Sequence, residues 1–275
     1  MGDRKERVSL KEKYNKRLED AFSRNGMKMN GERARSSLKA VKGIHDRFFE
    51  HVRANAIECG TDRMNDEIAK ASASCKMLVA GETHTLARHR YILGDMMKRF
   101  KGRFSCLAME HIPFEMQDEL ERFNDADVAR IRLYLKTAWG KYGERNVDSI
   151  VYLIRKAKES GLNVIGIDSE DIKNESTATR EKFMFSVVRH HLATQKIILL
   201  CGGHHALNAR EKFEGSKIID FVGEGESRHT EIPIIRAIYR AGLGSKDFIL
   251  EKGDLAEKGV PDVLIHFAKE KMGED

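Results

Sequence analysis

The sequence has little proline, three residues in 275, and a single tryptophan, Trp139. So small a supply of proline excludes long proline-rich linkers and favours a helix-rich chain. The four cysteines, Cys59, Cys75, Cys106 and Cys201, form no CxxC pair and no short framework spacing, which argues against a zinc ribbon or a disulfide scaffold. Cys106 and Cys201 fall inside apolar runs and read as reduced, buried thiols. No early apolar stretch resembles a signal peptide, and no run is long enough for a membrane span. The default expectation is a cytoplasmic location, with signal-less secretion as an effector as the other route. Also missing are HExxH, GxSxG, the GxxxxGK loop and a GxGxxG after a strand, so zincin, serine-hydrolase, P-loop and dinucleotide-binding readings lose their support.

Charge of one sign is missing from most of the chain. The formal net charge of +6 is carried by residues 1–60, and the remainder balances to zero. Within that segment the bases alternate with acids, as in KERVSLKEK and RLED, a pattern of solvated helix faces. Nucleic acid is therefore not an expected partner. The basic N-terminal helices are the part expected to contact a partner protein or an acidic membrane surface.

What is present is a change of texture near residue 70. Residues 3–22 and 33–57 read as helices, the second with Leu38, Val41, Ile44, Phe48, Val52 and Ile57 at helical spacing. From residue 75, short apolar runs alternate with amphipathic stretches. The runs are KMLVA (76–80), FSCLAM (104–109), NVIGI (163–167), KIILLC (196–201) and KIIDFV (217–222), and the helical patterns fall near 86–100, 114–137, 147–160 and 178–193. DFIL (247–250) and VLIHF (263–267) add two runs expected at sheet edges, and the glycines of 223–246 suggest a mobile rim. Continuous apolar strands separated by helices predict an α/β fold, a largely parallel central sheet with helices on both faces. An N-terminal helical extension (1–70) would precede the α/β domain (71–275).

Polar residues follow each predicted strand: Gly81-Glu82-Thr83-His84, Glu110-His111, Asp168-Ser169-Glu170-Asp171, Gly202-Gly203-His204-His205, and Gly223-Glu224-Gly225-Glu226. In an open parallel sheet the carboxyl ends of the strands share one edge, where ligands bind. Gly81 would give a tight exit from its strand. His84 can take a proton from water, with Glu82 or Glu110 orienting it or acting as the base. Of the paired histidines, His205 is favoured to face the site. His111 is expected to point elsewhere, and His190-His191 to be structural. Arg180, alone, reads as a surface ion pair, and the Asp168 cluster as caps.

Four of these motifs, in order over roughly residues 75–222, resemble a superfamily containing erythromycin esterases, ChaN-type haem-binding lipoproteins, Tiki proteases and TraB-type proteins. They are Gly81-Glu82-Thr83-His84, Glu110, Arg180-Glu181-Lys182-Phe183-Met184 and Gly202-Gly203-His204-His205. The resemblance implies an α/β sandwich with its site at the strand ends and raises Arg180 to a site residue. It implies catalytic roles for His84, Glu82, Glu110, Arg180 and His205, and a divalent metal ion, if one is used, on His84, Glu110 and His205. The expected activity is hydrolysis of an ester or amide in a small molecule or peptide. Two alternatives stand beside it. One is haem or metal binding without catalysis, with Tyr91 and Tyr239 as possible iron ligands. The other is a bacterial effector or toxin module with this fold.

Overall fold

The computed structural model describes residues 43, 46–223, 238, 241–243, 245–253 and 261–268. The predicted helix at 3–22, most of that at 33–57, the polar turn after Gly223, most of the glycine-containing stretch 223–246 and Tyr239 lie outside the described residues. Residues 49–275 make one compact unit.

Its centre is an eight-stranded sheet: β1 (Ile57–Glu58), β2 (Met77–Glu82), β3 (Cys106–Pro113), β4 (Asn163–Asp168), β5 (Ile197–Gly202), β6 (Lys217–Gly223), β7 (Phe248–Glu251) and β8 (Val263–Phe267). The spatial order is β1-β7-β8-β6-β2-β5-β3-β4. All neighbours from β8 to β4 run parallel, whereas β7 pairs antiparallel with both β1 and β8. The fold is thus α/β with a largely parallel sheet, as the alternation of runs predicts.

Each buried strand is apolar throughout because both of its faces are covered. Leu78, Ala80, Leu107, Met109, Ile198, Leu200, Ile219 and Phe221 pack on one side. There they meet α1 (Thr61–Ser72), α2 (Ala87–Phe100), α4 (Asp125–Trp139) and α5 (Glu144–Glu159). Met77, Val79, Cys106, Ala108, Ile197, Leu199 and Ile218 alternate to the other side, under α6 (Thr177–Leu192) and α7 (Gly203–Lys212). A one-residue slip of any strand would exchange these two sets.

Four details differ from the sequence reading. Ile57 does not extend the first helical stripe: the helical stretch stops at residue 55, and Ile57, 39% exposed, pairs with Ile249 at the sheet edge. The predicted helix over 114–137 is broken. A 3-10 turn at Phe114–Met116 leads into α3 (Gln117–Arg122), and Phe123 at φ 46° ends it. Asn124 and Asp127 then form a reciprocal capping box that starts α4. Neither VLIHF nor DFIL is an edge strand: VLIHF sits between β6 and β7, and DFIL, as β7, between β8 and the two-residue β1. Finally α1, in a stretch with no predicted element, buries Met64 and Ile68 in the core. No helix among the described residues is long and apolar enough to cross a membrane.

Candidate active site

The register decides what meets at the sheet edge. Glu82, the last residue of β2, is level with Gly202, the last of β5, and Asp168 at the end of β4 is level with Pro113 of β3. Glu110 and His111 lie within β3 rather than in a turn after it, because the strand continues through a register irregularity between Met109 and Pro113. There the backbone of Ile112 and Pro113 crosses so close to Gly166 that a Cβ on residue 166 would collide with it. Gly81 also sits inside its strand and not in a turn. An added Cβ would stand 2.7 Å from Asp220 Oδ1 and 2.9 Å from Ala206 Cβ, so this glycine lets α7 pack closely on the sheet.

Glu82 is wholly buried and is the hub of one half of the site. Arg90 Nη1 donates to both of its oxygens, at 2.7 and 2.8 Å. His84 Nδ1 lies 2.9 Å and His111 Nε2 2.7 Å from Oε1. Burial alone would push the Glu82 carboxyl up, but the Arg90 guanidinium, helped by His111 and His84, holds it well below the usual carboxylate range. An ionised carboxylate only accepts, so Nδ1 of His84 carries a proton, and in the neutral ring the lone pair is on Nε2. Neither Glu82 nor Thr83 caps α2, whose N-terminus has no side-chain cap.

Glu110 is the hub of the other half. Its Oε2 accepts from the Gly202 N–H at 2.8 Å, and its Oε1 accepts from Arg180 Nη2 at 3.2 Å. The same Oε1 lies 3.5 Å from His205 Nε2 and 4.0 Å from His84 Nε2. Burial raises this carboxyl, yet His84, His205 and the Gly202 N–H outweigh it and the net displacement is downward. Burial opposes a charge on His84, but the Glu82 hydrogen bond and the Glu110 charge prevail and raise its pKa above the ordinary value. For His111 burial dominates, and its pKa is lowered.

The structure therefore brings Glu82, His84, Glu110, Arg180 and His205 to one edge, with His205 buried and His204 exposed. Arg180 is not a surface ion pair. It reaches Asp168 Oδ2 at 2.5 Å as well as Glu110, and although burial opposes its charge, those two carboxylates raise its pKa further. Asp168 thus serves the site, while Glu170 and Asp171 remain local: Glu170 accepts from Tyr134 and Lys173, and the Asp171 N–H binds Ser169. His190 and His191 lie at the far end of α6 from Arg180. Cys201 is buried, and burial, with the Glu110 charge, pushes its thiol well up, which disfavours a thiolate there.

Four participants were given no role by the sequence reading, although Glu181 belongs to one of its motifs. His111, expected to point elsewhere, turns onto Glu82, its Nε2 2.7 Å from Oε1, while among the described residues neither ring nitrogen has a partner in hydrogen-bond geometry. Trp139 closes one side of the site, its ring 4.8 Å from those of both His84 and His111, with Nε1 donating to the His111 carbonyl at 3.2 Å. A lone tryptophan at a helix end gave no signal. Glu181 accepts from His205 Nδ1 at 2.7 Å and from Asn208 at 2.8 Å. Arg90 did leave a trace: it sits on the apolar stripe Ala87, Leu93, Gly94, Met97, all buried, where a charge needs a buried partner.

A divalent metal can be tested against two donor sets. Among the described residues, Glu82, His84 and His111 have ligand atoms within 4.8 Å of one another. This set fits poorly, because Arg90 already occupies both Glu82 oxygens and Glu82 takes the Nδ1 proton of His84. The set His84 Nε2, Glu110 and His205 Nε2 is wider, its donor atoms not all within 4.8 Å of one another, and both Glu110 oxygens already accept, from the Gly202 N–H and from Arg180; what favours it is the backing of its histidines. Each imidazole has its other nitrogen held by a carboxylate, the usual backing of a metal-bound histidine. Of the two tyrosines considered for haem, Tyr91 lies on α2 with its ring 5.1 Å from that of Tyr152 on α5.

The class that fold and site define is an α/β protein with carboxylate–imidazole pairs gathered at the carboxyl edge of a largely parallel sheet. No protein-family model matches the chain, and no curated protein matches it. Two solved structures match the chain, the first of them similar in fold. One is the type III effector HopBA1, at 15% identity and TM-score 0.53, covering 75% of this chain and 94% of that one. The other is ChaN of Campylobacter jejuni with cofacially bound haem, at 12% identity and TM-score 0.43, covering 77% and 95%.

Proposed function

We propose that the chain hydrolyses an ester or amide bond, with His84 as the general base. The observation that supports this most is the Glu82–His84 pair, in which Oε1 lies 2.9 Å from Nδ1 and leaves Nε2 directed toward Glu110. Nε2 removes a proton from a water molecule as the water oxygen attacks the carbonyl carbon. The carbonyl π bond opens, and the guanidinium of Arg180 stabilises the negative oxygen. Collapse of the tetrahedral species breaks the C–O or C–N bond, and the leaving group takes a proton from an imidazole, His84 or His205. Burial of Glu82 and Glu110 strengthens each electrostatic contact they make.

A metal-assisted form of the same reaction would draw on the two carboxylate-backed imidazoles that face Glu110 Oε1, and would require Glu110 to exchange its contacts with Arg180 or the Gly202 N–H for the ion. His84, Glu110 and His205 would hold the ion, which would supply Lewis-acid polarisation of the carbonyl. The fold likeness to HopBA1 supports a separate proposal about where the chain acts, as a bacterial effector. It leaves the chemistry proposed above unchanged.

The test is a panel of esters, lactones and peptides assayed with purified protein before and after chelation, beside elemental analysis. Hydrolysis that survives chelation supports the metal-free route, and hydrolysis restored only by added metal supports the assisted one. No turnover across the panel, with a Soret band on haem titration, would replace the hydrolase reading with haem binding.

A further inference from the structure

Arg90 is fully buried, a costly position for a charge unless every donor is engaged. Here they are engaged in one direction. Nη1 donates to both oxygens of Glu82, and Nε donates to Ser149 Oγ at 2.8 Å. Nη2 donates to Asn146 Oδ1 and, at 3.4 Å, to the backbone carbonyl of His84. The braces are themselves braced. Ser149 Oγ donates to the Asn146 carbonyl at 2.7 Å, and Asn146 Nδ2 donates to the carbonyls of Tyr142 and Thr85 at 2.6 and 3.3 Å. One guanidinium thus joins α2 and α5 to both ends of the Glu82–His84 pair, its carboxylate and the main chain of its histidine.

We infer that Arg90 is a positioning residue that sets the rotation and tautomer of His84 by gripping Glu82 and the His84 carbonyl in one planar fork. It touches no reacting atom. With Glu82 pinned as acceptor for Nδ1–H, the Nε2 lone pair has one direction available, toward Glu110. A lysine in its place would keep the positive charge but offers one tetrahedral ammonium, which cannot reach Glu82, Ser149, Asn146 and the His84 carbonyl together. The inference rests on His84 as the base, and it is tested by a readout that needs no substrate.

The experiment is 15N NMR of the His84 ring in the full chain, with Arg90→Lys and Arg90→Met beside the wild type. Wild type is expected to show a protonated Nδ1 and a lone-pair Nε2. Arg90→Lys is expected to lose this pattern, with exchange-broadened or shifted nitrogens, although its charge is intact. Where hydrolysis is found, kcat should fall about 10²-fold with KM little changed, the signature of a mispositioned base rather than a lost binding contact. Should Arg90→Met not fold, Asn146→Ala removes one brace only and should give a smaller shift of the same nitrogens. A wild-type His84 spectrum in Arg90→Lys would overturn the inference. A wild-type tautomer as described, without hydrolysis of any substrate, would instead remove the hydrolase reading and leave the positioning role standing.

Discussion

His205 Nδ1 lies 2.7 Å from Glu181 Oε1, the same relation that His84 Nδ1 holds to Glu82 Oε1 at 2.9 Å. The two imidazoles approach Glu110 from different elements, α7 and the turn after β2, each backed by its own carboxylate. Glu181→Ala should therefore leave the His205 ring free to rotate. Activity should fall by about 10–100-fold, the usual effect of losing a carboxylate behind a working imidazole. Steady-state kinetics with a check of the unfolding midpoint would show it.

Gly202 has φ −55°, so alanine is allowed by the backbone. Its Cβ, however, would stand 3.0 Å from His84 Nε2 and 3.6 Å from Glu110 Oε2. Gly202→Ala should fill the space in front of the base, with activity down roughly 10²-fold. Stability measured by urea unfolding should stay within about 1 kcal/mol.

The rate should depend on pH through His84, which must be neutral to accept a proton. Its pKa is raised above 6.5, chiefly because the Glu82 hydrogen bond and the Glu110 charge outweigh burial. The acid limb of kcat/KM should therefore have its midpoint above 6.5, and Glu82→Gln, which weakens the raising contact, should move that midpoint down. A limb unmoved in Glu82→Gln would remove His84 as the titrating base.

Stability should depend on pH with the opposite sign for the carboxylates. Glu82 and Glu110 are held below their ordinary value of 4.5 in the folded chain. Their contribution is present above pH 4.5 and is lost as pH falls through the folded values. His84, raised when folded, contributes stability below pH 6.5 that is lost as pH rises through its folded value. Urea midpoints should fall in acid for wild type and fall less for Glu110→Gln.

The sheet and the edge were legible in the sequence because both depend on period and position. Buried parallel strands must be apolar throughout, and the acids and histidines after KMLVA, FSCLAM and KIILLC stand out against that background. Partnership was harder to read. His111 adjoins Glu110 and by simple alternation should face away, but the irregular stretch of β3 turns it onto Glu82. Arg90 and Ser149 are 59 positions apart, and no local pattern ties them. Edge position also stayed hidden, since VLIHF is as apolar as an internal strand and its place beside β6 follows from long-range pairing.

The most direct measurement is hydrolysis by His84→Ala of whichever ester or amide the wild type cleaves, with unfolding followed in parallel. The account predicts a rate lower by about 10²–10⁴-fold at an unchanged unfolding midpoint. A rate equal to that of the wild type would contradict it.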